Sequence, residues 1–238
     1  MSKIFGFIAA ALGLFSVLAL SACSEAPSAP LRVGINPWPG YGPLFLAADK
    51  GFFAEEGIDV ELVELTSLAD VRRAFERGQI DGMTSSVVEV LDAERQSDRH
   101  PIISLMTDYS NGADVVLARN GIHDVAALRG KRIGLEASSL NRFILSRALA
   151  AGGLTMADVQ VVDLPQLAMR DAVEEGTVDA VVTYPPMSLD IERTGLVSHV
   201  FSSADIPGEV ADIVSFASEI FQRRPGDVDA FARAWGRS

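Results

Sequence analysis

Three sequence elements of this chain occur twice, in the same order and about a hundred residues apart. Arg32-Val33-Gly34-Ile35-Asn36 returns as Arg132-Ile133-Gly134-Leu135-Glu136. Glu56-Gly57-Ile58-Asp59-Val60-Glu61-Leu62 has a counterpart in Ala157-Asp158-Val159-Gln160-Val161-Val162-Asp163. Glu76-Arg77-Gly78-Gln79-Ile80-Asp81-Gly82 returns as Glu174-Glu175-Gly176-Thr177-Val178-Asp179-Ala180. The offsets are 100, about 100 and 98. A repeat on this scale predicts two lobes of similar build with a cleft between them. Each copy is near ordinary domain size, so each can bury a core of its own.

Both copies alternate short apolar runs with helical patterns. In the first, strands are expected at 32–35, 58–62, 80–83, 102–106 and 115–118, and helices at 43–50, 53–56, 68–77 and 87–95. In the second, strands are expected at 132–135, 159–164 and 178–182, and helices at 140–151 and 168–175. Pro43 suits a first helical turn, where its missing N–H costs nothing. Gly51, Gly78, Gly152 and Gly176 read as helix stops. Thr84-Ser85-Ser86 reads as the cap of the helix that follows. The alternation predicts an α/β fold with parallel-dominated sheets, whose ligands sit beyond the carboxyl ends of the strands.

The N-terminus reads as a targeting segment. Lys3 is the only charge before an apolar run from Ile4 to Leu20, which is too short and too early for a permanent membrane span. Leu20-Ser21-Ala22-Cys23 resembles the lipobox of bacterial lipoproteins. That resemblance implies a signal peptide over residues 1–22, lipidation of Cys23, and a protein anchored by lipid to a membrane in the periplasm or at the cell surface. Residues 23–30 then form a tether rich in Ser, Ala and Pro, unable to bury a core.

Composition removes several function classes. The net charge of −12 argues against nucleic acid and against adhesion to anionic lipid head groups. Cys23 is the only cysteine, so disulfides, thiolate metal sites and cysteine nucleophiles are not expected. No HExxH, Walker loop, GxGxxG or Ser-His-Asp spacing occurs, and His100, His123 and His199 fall outside the loops where a ligand would sit. No catalytic residue, metal site or cofactor is expected.

Three stretches carry a resemblance to a known family: Pro39 to Ile58, Leu128 to Ser139 and Gly176 to Pro186. They are similar to the nitrate/sulfonate/taurine-type substrate-binding proteins of ABC importers, in the superfamily of thiamine-precursor-binding proteins. The resemblance implies a type II periplasmic-binding-protein fold. Residues 31–112 with 210–238 would form the first lobe and residues 113–209 the second, with chain crossings near Gly112–Leu117 and Val210–Phe216. It also implies a monomer that closes by hinge motion around a small molecule and delivers it to permease and ATPase subunits. Family members usually continue beyond the equivalent of Phe231–Trp235, so uncovered apolar surface is expected on the first lobe.

The candidate ligand residues are Trp38, Gly40 and Tyr41 in the first loop, Ser85 and Ser86 before a helix, Asp108 and Tyr109 near a crossing, Ser138, Ser139 and Asn141 in the second lobe, and Tyr184. Trp38, Tyr41 and Tyr184 offer flat apolar walls with a polar handle. Gly40 permits close backbone approach. The serines and Asn141 would form cradles at helix starts, where free N–H groups favour anions or polar groups. Asp108 suits an amine or ring N–H, whereas Asp114 reads as structural. A pyrimidine or thiamine-precursor-like molecule, a sulfonate and nitrate all remain open as ligands. Two other functions also remain open: an enzyme of the pyrimidine-synthesis type on the same fold, and a lipoprotein that presents ligand to a membrane sensor.

Overall fold

The computed structural model describes residues 29–238. The expected signal peptide and Cys23 lie outside the described residues. The chain from Leu31 onward is an α/β structure built on two five-stranded sheets.

The first sheet contains β1 (Leu31–Ile35), β2 (Val60–Glu64), β3 (Gly82–Ser86), β4 (Pro101–Tyr109) and β10 (Ala211–Ala217), in the order β2-β1-β3-β10-β4. The second contains β5 (Val115–Arg119), β6 (Arg132–Leu135), β7 (Gln160–Asp163), β8 (Ala180–Thr183) and β9 (Val197–Ser202), in the order β7-β6-β8-β5-β9. The two orders are equivalent, as the sequence repeat requires. Both sheets are mixed and not parallel-dominated. β1 runs parallel to β2 and β3, and β10 runs antiparallel to β3 and β4. β6 runs parallel to β7 and β8, and β5 runs antiparallel to β8 and β9. The antiparallel member is in each case the strand entering directly from a crossing, 110–114 for β5 and 203–210 for β10.

The helices are α1 (Gly42–Asp49), α2 (Phe52–Glu55), α3 (Leu68–Glu76), α4 (Val87–Gln96), α5 (Ser139–Ala151), α6 (Met169–Glu175), α7 (Met187–Glu192), α8 (Ser218–Arg223) and α9 (Pro225–Trp235). Three strands begin later than the apolar alternation suggested. Pairing in β2, β3 and β8 starts at Val60, Gly82 and Ala180, about two residues beyond Ile58, Ile80 and Val178. Those three are buried, but in the turn ahead of each strand. Ile80 and Val178 fill the space that a side chain on Gly34 or Gly134 would need, at 2.5 and 3.3 Å from an ideal Cβ. Burial there comes from packing under β1 and β6, not from a ladder. For the same reason Thr84 and Ser85 belong to β3, and Ser86 alone caps α4.

Each lobe has its own apolar core. The first gathers Leu31, Val33, Phe75, Met83, Phe216 and Phe231, with the Phe53 and Phe231 rings stacked at 5.3 Å. The second gathers Ile133, Leu135, Ile144, Leu149 and Val182. Leu68, at the start of α3, packs into the second core although its helix belongs to the first sheet. The two crossings are tied together: the Ser110 and Ser203 hydroxyls are 2.8 Å apart, and Ser203 Oγ accepts the Gly112 N–H at 2.7 Å. Ile102, Ile103, Met106 and Tyr109 stand exposed on β4, an edge strand of the first sheet.

Candidate functional site

A small pocket lies where the two lobes meet. It is lined by Asn36, Trp38, Tyr41 and Leu68 from the first lobe side, by Leu140 and Tyr184 from the second, and by Asp114 and Asp212 at the crossings. The cavity left among these side chains is about 10 Å³, room for about one water molecule, so a larger ligand enters only when the lobes part. The lobes are closed over it. Trp38 meets Tyr184 edge-to-face with ring centroids 6.1 Å apart. The Trp38 indole N–H donates to Asp108 Oδ2 at 3.4 Å.

Carboxylates dominate the polar wall. Asp212 pairs with Asp108 across the β10–β4 ladder and is 6% exposed, and its Oδ2 has no hydrogen-bond partner. Burial, followed by the charges of Asp108 and Asp114, pushes its carboxyl up to about 9. Asp114 is pushed up to about 6, chiefly by burial, against the opposing effect of Ser110. Asn36 Oδ1 is likewise buried without a partner. Burial raises both tyrosines, with Asp212 and Asp108 adding to it at Tyr41 and Glu136 adding to it at Tyr184.

Two helix starts beside the pocket, those of α3 and α5, are already occupied, and by carboxylates of the opposite lobe. Glu89 in α4 accepts the Ser139 and Leu140 N–H groups at 2.5 and 3.0 Å, so it caps α5 across the cleft. Glu136, which follows β6, accepts the Ala69 N–H at 2.9 Å and caps α3 in return. Ser67 and Ser138 take the next N–H of α3 and α5. Arg72 Nε stands 3.0 Å from Glu89 Oε2, and burial still raises the Glu89 carboxyl above its ordinary range.

Of the sequence-predicted residues, Trp38, Tyr41 and Tyr184 line the pocket and Asp108 adjoins it through Trp38. The others do not come together there. Tyr109 is 52% exposed on the sheet edge. Gly40 makes room for Asp108, since an ideal Cβ would lie 2.1 Å from Asp108 Oδ2. Ser86 and Ser138 cap their own helices, and the Ser139 hydroxyl donates to Asp92 at 2.8 Å. Ser85 is buried with its hydroxyl unpartnered, and its carbonyl accepts the Tyr41 hydroxyl at 3.4 Å. Asn141 is buried in α5 with both side-chain polar atoms unpartnered. Trp38 meets Tyr184 across the cleft, and Tyr41 meets Ser85 within the first lobe.

Sequence reasoning missed Asn36, Leu68, Leu140 and Asp212, and set Asp114 aside as structural. Asn36 and Asp212 had a usable signal: one ends a predicted strand, and the other sits in a predicted crossing.

The pattern of residues from Trp38 to the C-terminus identifies the family. The model of the NMT1/THI5-like family matches residues 38–238. The chain belongs to the NMT1/THI5-like family. Across this family similarity extends in two directions. The chain is 27% identical over 251 aligned positions to the riboflavin-binding protein RibY of Chloroflexus aurantiacus, covering 94% of this chain and 70% of RibY. It is 32% identical over 99 positions to a 4-amino-5-hydroxymethyl-2-methylpyrimidine phosphate synthase of Schizosaccharomyces pombe, covering 40% of this chain and only 28% of the synthase. In three dimensions it matches the alkanesulfonate-binding protein SsuA of Xanthomonas axonopodis pv. citri, solved with MOPS bound. That match has a TM-score of 0.77 at 20% identity, over 90% of this chain and 74% of SsuA. The shared fold is that of type II periplasmic binding proteins.

Proposed function

We propose that this protein is the extracytoplasmic solute-binding component of an ABC importer, capturing a small organic molecule or anion between two closing lobes. The observation that carries this reading is the Trp38–Tyr184 contact at 6.1 Å over a pocket lined from both lobes and both crossings. A pocket divided in this way opens and closes with the lobes, as capture and release demand. RibY and SsuA, whose names describe solute binders, support the same role. The lobes would be residues 31–112 with 210–238, and residues 113–209. Lipidation of Cys23 would anchor a monomer beside its permease and ATPase subunits.

Catalysis is the weaker reading. The likeness to the synthase spans 28% of that enzyme. The ionisable groups at this pocket are carboxylates and tyrosines, while His100 and His199 sit on the surface within 3.0 and 3.1 Å of Glu94 and Glu192.

A thermal-shift screen of the protein against sulfonates, nitrate, pyrimidines and amines tests the reading. A ligand at a hundred times its Kd adds about 2.7 kcal/mol of stability by mass action. Trp38 is half-buried, so Trp38→Ala is expected to abolish the ligand-induced shift and lower the ligand-free Tm only slightly. A shift that survives the substitution would remove the first loop from the site.

A further inference from the structure

We infer that the cleft is built for an organic cation, a protonated amine or amidine whose N–H groups are received by Asp212, Asp114 and Asp108 beneath the rings of Trp38 and Tyr184. The inference rests on the solute-binding reading above and narrows it to one charge class.

Four observations carry it. First, two buried oxygens of the pocket have no hydrogen-bond partner. Asp212 Oδ2 and Asn36 Oδ1 are buried and unpartnered, in side chains 6% and 4% exposed that both line the pocket. A buried acceptor left unsatisfied is costly, and a ligand donor would remove that cost. Second, three carboxyl groups gather there without a basic partner. No Arg or Lys lines the pocket, and among the described residues Asp108, Asp114 and Asp212 make no ion pair. Third, two of the helix starts that could take an anion are filled. The starts of α3 and α5 already hold Glu136 and Glu89, so an anion entering the cleft would meet carboxylates where it needs N–H groups. Fourth, the walls suit a cation bearing carbon. Trp38 and Tyr184 present aromatic surface, which attracts cations when water is excluded. Among the described residues no group of three His, Cys, Asp or Glu side chains is arranged to hold a metal ion. That points the carboxylates towards an organic cation.

The groups facing Asp212 are Asp108 from β4, Asp114 from the first crossing and Tyr41 from the first loop, and none of them is cationic. With its carboxyl pushed up to about 9, Asp212 holds a proton at neutral pH in the free protein. An arriving cation stabilises the carboxylate and displaces that proton. Binding therefore tightens as pH rises, by up to about tenfold per unit for each proton released.

Calorimetry on the full-length protein tests this, with benzamidine and phenethylamine as cations, benzoate and benzenesulfonate as anions, and benzamide as the neutral probe. Titrations run at pH 6 and pH 8, in buffers of different ionisation heat that report proton release. The expected result is binding of a cation, about tenfold or more tighter at pH 8, with close to one proton released at pH 7. Asp212→Asn should weaken that binding at least tenfold and abolish the proton release while leaving the ligand-free Tm unchanged, because Asp212 is already neutral there. If that substitution lowers Tm, Asp108→Asn at its half-buried position tests the loss of cation affinity instead. Cation binding that neither variant alters would overturn the assignment. Binding of an anion or of benzamide, with both cations silent, would overturn the charge class and leave the solute-binding reading standing. Silence of these probes and of every class in the thermal-shift screen would remove both.

Discussion

Arg32 and Arg132 hold the same place in the two lobes and make the same bonds. Each backbone N–H and each guanidinium is received by one carboxylate, Asp81 for Arg32 and Asp179 for Arg132. Each guanidinium also donates to the carbonyl of a left-handed glycine, Gly78 or Gly176. Much of the sequence repeat is therefore a clamp at the strand starts, away from the carboxyl ends where the cleft lies. Gly40 is a different case, because its missing side chain is a requirement of the site. An added methyl would lie 2.1 Å from Asp108 Oδ2 and 2.5 Å from the Trp38 indole nitrogen, which would break the bond between them. Gly40→Ala should cost about 1–3 kcal/mol by overpacking. It should also shift the emission of Trp38, and urea titration read by tryptophan fluorescence measures both effects. An unchanged spectrum with unchanged stability would mean that the loop relaxes freely and that Gly40 does not position Trp38.

Helix ends show how local chemistry and tertiary contact divide the work. The Ser86 cap and the αL glycines Gly51 and Gly176 were read from the sequence because their partners lie within a few residues, whereas the equally local caps Ser67 and Ser138 were missed or taken for ligand groups. The reciprocal carboxylate caps were not readable: Glu89 and the Ser139 N–H are 50 positions apart, and Glu136 and the Ala69 N–H are 67. Ser138 and Ser139 looked like a ligand cradle because the sequence could not reveal that Glu89 already holds the N–H groups there. These caps also bond one lobe to the other. Glu136→Ala frees the Ala69 N–H and removes a charge-assisted bond worth about 1.5–3 kcal/mol. The ligand-free protein should then populate an open form, with a larger radius of gyration in X-ray scattering and a partial return on adding ligand. A radius unchanged from the parent would show that apolar contact, such as Leu68 in the second core, closes the lobes by itself. Glu89 is less informative as a variant, because its loss would also take from Arg72 one of the carboxylates it pairs with.

At the scale of the whole molecule, the repeat was enough to expect two similar α/β sheets, but not their mixed character. The expectation of parallel sheets failed at β5 and β10, the strands that enter each sheet from a crossing, and a linear pattern carries no strand direction. The same crossings bring Asp114 and Asp212 together, and their burial sets how stability depends on pH. Both carboxyls are raised in the folded state, to about 6 and about 9, from an ordinary value of 3.8. Glu89 is raised as well. Between the ordinary value and the raised one, the native protein holds a proton that the unfolded chain has released. Stability therefore falls as pH rises, by at most about 1.4 kcal/mol per unit for each group. The Asp179 carboxyl is lowered, chiefly by its bond to Arg132, so its contribution is present above the ordinary aspartate range and lost in stronger acid. Together these place the greatest stability of the ligand-free protein on the acid side, near the ordinary carboxylate range at pH ~4. Urea denaturation at pH 5, 7 and 9 should give a steadily decreasing free energy of unfolding. The decrease from pH 7 to pH 9 should be smaller in Asp212→Asn, which has no proton to lose there. Stability that is flat or rising from pH 5 to pH 9 would mean that Asp212 and Asp114 ionise without penalty, and the free cleft would then need no cation to offset them.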